Sequence, residues 1–153
     1  MTQIVNMSVE SPYNPEAASL LRELDQDLRA RYPQHFVHGI KLEELEDGKG
    51  AFIMARLNGR PVGCGAIRRL EDGVGEVKRM YVRPEARRRG VARLVLAELE
   101  ETARALGLHT LRLETGTRQP EAIALYEREG YRPIPRFGEY AEDPFSVCYE
   151  KTL

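Results

Sequence analysis

Between residues 52 and 106 the apolar pattern changes period once, and no other feature restricts the fold as much. Phe52 to Leu57, Pro61 to Leu70 and Gly75 to Val82 read as three strands. Asn58-Gly59 joins the first two, a dipeptide that accepts the positive φ angles of a tight hairpin turn, and the Glu71-Asp72-Gly73 turn leads into the third. From Val91 onward apolar side chains recur at Ala92, Val95, Leu96, Leu99, Ala103 and Leu106, a helical spacing that ends at Gly107, a good left-handed terminator. An antiparallel meander that feeds a helix needs a sheet that helices can cover, which points to a mixed α/β layer structure.

The flanking segments agree. Gln3 to Val9 reads as a first strand. A helix follows, with Asn14 as its cap, Pro15 at the first helical position and Leu20, Leu21, Leu24 and Leu28 as an apolar stripe, until Tyr32-Pro33 ends it. Residues 33–50 are mixed, with a short helix expected around Leu42 to Leu45. Beyond Gly107, Leu108 to Glu114 reads as a strand, Pro120 to Glu129 as a helix closed by Gly130, and Tyr131 to Ile134 and Ser146 to Leu153 as two last strands around a loop containing Pro, Gly and acidic residues. The sequence carries no repeat, linker or low-complexity tract, so residues 1–153 are expected to form a single domain.

Charge narrows the function classes. The 23 Lys plus Arg and 24 Asp plus Glu leave a net charge of -1, which argues against a dedicated nucleic-acid or membrane-surface protein, since both usually carry a basic excess. Cys64 and Cys148 form no CxxC and lack a nearby His pair, so the sequence signals neither zinc nor a redox pair, and no metal is expected. Two free thiols suit a reducing cytosol. Apolar runs such as Ala51 to Ala55 fall far short of the ~20 residues of a membrane span, and Met1 to Asn6 carry no basic leader; a cytoplasmic protein is expected. His35, His38 and His109 have no metal-type spacing and read as ordinary surface or loop histidines.

Chemistry concentrates in the segment from Val77 to Ala92, where a strand enters a loop with Arg83, Arg87, Arg88 and Arg89 and the loop opens a helix. The first turn of a helix has N–H groups without internal acceptors and sits at the positive end of the dipole, so it receives anions. Gly90 lets a ligand approach the backbone, Ala92 obstructs little, and the arginines add charge-assisted hydrogen bonds. A diphosphate is the natural ligand. There is no Gly-Lys-Ser/Thr, so a P-loop is absent. Gly63-Cys64-Gly65 begins like a dinucleotide fingerprint, but it lies inside a strand; its glycines are expected to mark close sheet packing or a bulge.

Arg87-x-x-Gly90-x-Ala92 resembles the acyl-CoA-binding signature of the GNAT superfamily of N-acetyltransferases, Arg/Gln-x-x-Gly-x-Gly/Ala. The likeness extends through Glu76 to Val82, Leu111-Arg112-Leu113-Glu114-Thr115-Gly116 and Glu121 to Tyr131, and the order of elements agrees over nearly the whole chain. It implies a mixed, mostly antiparallel central sheet with helices on both faces and two strands splayed into a groove for acetyl-CoA, the cosubstrate. It implies pyrophosphate on the backbone of Arg87, Arg88, Arg89, Gly90, Val91 and Ala92, pantetheine along Met80, Tyr81 and Val82, and a backbone N–H there that polarises the thioester carbonyl. The family commonly places Asn near the start of the next helix as a pantetheine contact; here Gln119 stands roughly there.

Tyr126 matches the family's tyrosine whose hydroxyl protonates the leaving thiolate, although on spacing alone it reads as a core aromatic. Glu76 is the best-placed carboxylate for a general base; the alternative is a surface strand residue paired with Lys78, which alternation puts on the same face. Glu114 is a weaker candidate on the neighbouring strand. Arg136, Glu139 and Tyr140 fall in the loop where the family often lines the acceptor pocket, or in a solvated loop. The resemblance therefore implies transfer of acetyl to a primary amine of a small molecule or peptide, by direct attack in a ternary complex. Cys64 and Cys148 are poor nucleophiles, having no visible His partner. Similar enzymes are often dimers, which leaves a homodimer open. Two rivals remain: a non-catalytic acyl-CoA sensor sharing every loop residue, and a nucleic-acid module built on the arginine cluster, against which Glu85, Glu98, Glu100 and Glu101 weigh.

Overall fold

A computed structural model of the chain describes residues 4–153, except for the side chain of His35. Strand β1 (Val5–Val9) is followed by helix α1 (Pro15–Arg31), strands β2 (Gly50–Leu57), β3 (Arg60–Glu71) and β4 (Val74–Val82), helix α2 (Val91–Ala105), strand β5 (Thr110–Gly116), helix α3 (Pro120–Arg128) and strands β6 (Arg132–Ile134) and β7 (Ser146–Thr152). Short 3₁₀ turns stand at Leu42–Leu45, as expected, and at Gln34–Phe36, Pro84–Ala86 and Gly138–Tyr140. The expected start of the first strand at Gln3 lies outside the described residues. Among them, no helix is long and apolar enough to cross a membrane.

The seven strands form one sheet in the order β1-β2-β3-β4-β5-β7-β6. Every neighbouring pair is antiparallel except β4 and β5. The β2–β3 hairpin turns on Asn58 and Gly59, at φ 53° and 81°, the two positive angles that its sequence requires. One face packs against α1 through Leu20, Leu24, Phe52, Met54, Cys64, Ala66 and Tyr81. The other carries the larger core, where Val95, Leu96 and Leu99 of α2 and Leu125 and Tyr126 of α3 meet Ile53, Ile67, Val77, Leu111 and Leu113.

The glycines of the false dinucleotide fingerprint let α2 sit close on β3. A Cβ at Gly65 would come within 2.8 Å of Leu99 Cδ1 and 2.9 Å of Val95 Cγ1. The β3–β4 register also shifts between Cys64 and Ala66, so the segment holds close packing and a bulge together.

Two strands start later than their apolar patterns suggest, for a common reason. Leu108 N–H donates to Ala103 O and Gly107 N–H to Arg104 O, while Tyr131 N–H donates to Tyr126 O and Gly130 N–H to Glu127 O. Both helices thus end in the paired reverse bonds of a left-handed glycine cap, with Gly107 and Gly130 at φ 80° and 91°. Leu108 and Tyr131 are the buried hydrophobic residues that complete these caps. Their apolarity serves the helix end and not the strand.

Candidate active site

The parallel pair β4 and β5 is joined only from Val74↔Thr110 to Val77↔Leu113. Beyond that rank β4 runs on to Val82, bent at Arg79, whose φ is 59°, while β5 continues to Gly116 paired with β7 alone. The strands therefore fork, and the first unpaired rank holds Lys78 and Glu114. Backbone N–H groups of β4 that point away from β3 lose their sheet acceptor beyond the fork and are open to a ligand carbonyl.

A groove of about 930 Å³ occupies the fork. That lies at the upper end of ligand-pocket volumes. At one end it is lined by Arg87, Arg88, Gly90, Val91 and Ala92, in the middle by Met80, Tyr81, Val82, Gln119 and Tyr126, and at the other end by His38, Lys78, Glu114 and Tyr140. Of the residues expected at the site, Arg89 and Glu76 are not on the lining, nor are Arg136 and Glu139 of the candidate acceptor loop.

At the loop end, Gly90 takes φ 75° as the residue before α2, with no side chain capping the helix. Its left-handed turn leaves the first N–H groups of α2 facing outward, the first backbone bond of this turn being Leu94 N–H to Gly90 O. Arg87 donates from Nε to Val82 O at 2.9 Å and lies over the Tyr81 ring, so its guanidinium braces the loop against β4 as well as adding positive charge. Gln119 Oε1 accepts from Gly116 N–H and from the Tyr32 hydroxyl, each at 3.2 Å. Its side chain holds the β5–α3 turn closed.

Tyr126 is 6% exposed and lines the groove. Its ring packs edge-on to Tyr131 at 5.9 Å, and among the described residues no hydrogen bond engages its hydroxyl. Burial, with the charge of Glu114 behind it, raises its pKa, so the phenol keeps its proton. The ring belongs to the core, as its spacing predicts, and the residue also lines the groove.

Glu76 does not take the surface position of its alternative reading. It is fully buried, not on the surface, and its partners are Arg68, 2.8 Å from Oε1, and the Tyr140 hydroxyl, which donates to Oε2 at 2.5 Å. Lys78 does share its face, but is tied to it through Tyr140, to which Nζ donates at 3.0 Å. The loop after β6 closes over this carboxylate, an arrangement built from residues 64 positions apart. Glu114 lies at the opening instead. It accepts from Ser146 Oγ at 2.6 Å, and burial pushes its pKa up to about 7 against the lowering effect of that bond and of the nearby cations.

His38 lies in a loop, one of the two places expected for it. It is partly buried in the groove, with Nε2 2.7 Å from Asp143 Oδ2 and Nδ1 3.1 Å from Glu139 Oε1. One ligand-type atom each of His38, Glu114 and Asp143 lies within 4.8 Å of the others, a proximity no sequence spacing announced. His109 is exposed and bonds Thr110 Oγ1. Tyr140 of the loop is buried against the groove, whereas Arg136 is turned to the Asp143 carbonyl. Cys64 and Cys148 are buried free thiols, pushed by burial up to about 12 and about 11, which removes the thiolate a nucleophile needs.

The family model described as Acetyltransferase (GNAT) family matches residues 11–131. The chain belongs to the GNAT family of acetyltransferases. It is 43% identical over 150 residues to an IAA acetyltransferase of Azospirillum brasilense, covering 97% of this chain and 98% of that one. A crystal structure from Klebsiella pneumoniae subsp. pneumoniae superposes with TM-score 0.84 at 36% identity, covering 98% of both chains. A GNAT family acetyltransferase of Elizabethkingia anophelis, solved with acetyl-CoA bound, shares the fold at 16% identity and TM-score 0.72, covering 97% of this chain and 98% of that one. This GNAT chain is an acetyl-CoA-dependent N-acetyltransferase, and its forked strands and Arg87-x-x-Gly90-x-Ala92 loop fit that cosubstrate.

Proposed function

We propose that the protein acetylates a primary amine by direct attack within a ternary complex, with Glu114 as general base and Tyr126 as general acid. The observation that carries this reading is the fork: Glu114 is the carboxylate at its first open rank, with a pKa near the working range, while Tyr126 lines the same groove as a protonated phenol. A base works best when its pKa is near ambient pH.

In this reading the diphosphate of the cosubstrate rests on the backbone from Arg87 to Ala92 and its pantetheine arm lies along Met80, Tyr81 and Val82. Gln119 supports that arm through the turn it closes. Arg88 adds charge to the diphosphate site, and Arg89, next to it, contributes through its backbone. Glu114 takes a proton from the acceptor ammonium, and the free amine nitrogen attacks the thioester carbonyl carbon, whose oxygen meets an open N–H of β4. As the C–S bond breaks, Tyr126 gives its proton to the sulfur, and the proton released by the new amide nitrogen restores the phenol. The products are amide, coenzyme A thiol and one proton. Glu76 acts as a positioning residue: with Arg68 it fixes Tyr140, and through Tyr140 it fixes Lys78. Alignment of the amine against a bound thioester supplies much of the rate. The buried free thiols and the use of acetyl-CoA suit a cytoplasmic enzyme.

The test is acetyl-CoA-dependent thiol release over a panel of amines. The expected result is turnover that Glu114→Gln lowers by about 10²- to 10⁴-fold while Glu76→Gln mainly lowers stability. Binding of acetyl-CoA with no turnover of any amine would leave a sensor and reject the enzyme mechanism.

A further inference from the structure

The charged groups on the α1 side of the fork can be paired off one by one. Arg68 takes Glu44, Glu76 and Glu139, and His38 takes Asp143 and Glu139. Arg79 Nη2 takes Asp25 at 2.6 Å and the Leu21 carbonyl at 3.3 Å. Three groups are left with unmet capacity. Among the described residues Glu114 has one hydrogen bond, from the Ser146 hydroxyl, with His38 and Asp143 nearby. Lys78, 7% exposed, has one hydrogen bond to Tyr140 and the Glu139 carboxylate at 3.8 Å, although an ammonium has three donors. Among the described residues Arg79 Nη1 is buried without a hydrogen-bond partner, and Arg79 lines the groove. Buried donors of this kind call for an acceptor.

Lys78 and Glu114 face one another across the first open rank, each in the other's field, yet among the described residues no ion pair joins them. A cation and an anion held apart at the mouth of a groove are matched by a ligand carrying the opposite pair. Resting on the acetyl-transfer reading, we infer that the acceptor is an amino acid: its ammonium meets Glu114, and its carboxylate meets Lys78. Other amines fit less well. A diamine would bring a second ammonium against Lys78, and a peptide N-terminus would offer a neutral amide where the lysine needs an anion.

The test compares the proteinogenic amino acids with their carboxamides and their decarboxylated amines, reading kcat/KM at saturating acetyl-CoA. At least one amino acid should exceed its own carboxamide by about 100-fold, since a site built around a charged group rejects the analogue that leaves it unpaired. Lys78→Met should collapse that preference to tenfold or less, and Lys78→Arg should retain most of it. Calorimetry of the same pairs on the coenzyme A-loaded protein reads the subsite without turnover, and should show tighter binding of the acid. If carboxamides or decarboxylated amines are acetylated as well as the acids, the inference is overturned while acetyl transfer stands. If no amine of any kind is acetylated, acetyl transfer falls; the inference falls with it.

Discussion

Tyr140 donates its hydroxyl proton to Glu76 across 2.5 Å, and the bond ties the loop after β6 to the middle of the sheet. The same oxygen accepts from Lys78, so one hydroxyl is shared by two buried charged groups. Tyr140→Phe keeps the ring and removes that oxygen, leaving Glu76 with Arg68 alone. A hydrogen bond to a buried charge contributes roughly 1.5–3 kcal/mol, and chemical denaturation should show a loss of about that size. A change below about 0.5 kcal/mol would mean that the loop does not depend on this bond.

Glu114 gives two signs that can be measured separately. Activity needs the carboxylate, so kcat/KM should rise with pH through about 7, and Glu114→Gln should remove that limb. Stability runs the other way. The folded-state pKa is raised above the ordinary 4.5, so between these values the folded chain holds a proton that the unfolded chain has released. The stabilisation is complete below about 4.5 and is lost as pH rises through about 7. Glu114→Gln should therefore gain melting temperature over the parent at pH 8 and little at pH 4. Equal differences at both pH values would show that the carboxyl is not buried as described.

Tyr126→Phe separates packing from proton transfer. The ring contact with Tyr131 remains, so folding and acetyl-CoA affinity should be nearly unchanged. Turnover should fall by about 10²- to 10⁴-fold, the usual worth of a positioned acid. Because burial raises this phenol above its ordinary pKa of 10.0, it should contribute no basic limb in the neutral range. A Phe variant that turns over like the parent would make Tyr126 a core aromatic only.

What the sequence revealed of this fold was local in origin. Asn58-Gly59 sets its own hairpin, Asn14 caps α1 by accepting from Glu16 N–H, and Gly90 marks the turn before α2, each through neighbours within a few residues. The position of Glu76 was not legible, because the Tyr140 that buries it arrives from a loop beyond four further elements. Alternation placed Glu76 and Lys78 on one face correctly but cannot say where β5 leaves β4. That departure, at Val77↔Leu113, is what puts Glu114 at the opening and Glu76 behind it. His38 was missed for the same reason: its partners Glu139 and Asp143 lie about a hundred residues away. An isolated histidine in a segment of mixed pattern carries no signal of such a contact.

Tyr32 and Gly116 make a further local test of the site's frame. A Cβ at Gly116 would fall 1.8 Å from the Tyr32 hydroxyl, which also donates to Gln119 and accepts from Arg118 N–H. Gly116→Ala must displace that ring and open the β5–α3 turn. A melting-temperature loss is expected, and Gly116→Ala combined with Tyr32→Leu should cost less than the sum of the two single changes. Strict additivity would deny the contact.

The loop end of the groove rests on Gly90, and here space and conformation can be told apart. A Cβ at this position would meet nothing within 4 Å, so a larger residue is not excluded by crowding. The constraint is φ 75°, a left-handed value that a β-branched side chain adopts only at a cost of roughly 1–2 kcal/mol. Gly90→Val should therefore relax the turn toward negative φ and swing the first N–H groups of α2 away from the diphosphate, while the buried core of the helix, from Val95 onward, stays in place. The folded parent should gain melting temperature on adding millimolar acetyl-CoA, because a ligand of the native state stabilises it by mass action. The valine variant should melt cooperatively and show no such gain. Gly90→Asn provides the control, since asparagine tolerates the left-handed region and should keep most of the shift. A valine variant that retains the full acetyl-CoA shift would remove the backbone of this turn from cosubstrate binding and leave the diphosphate to the side chains of Arg87 and Arg88.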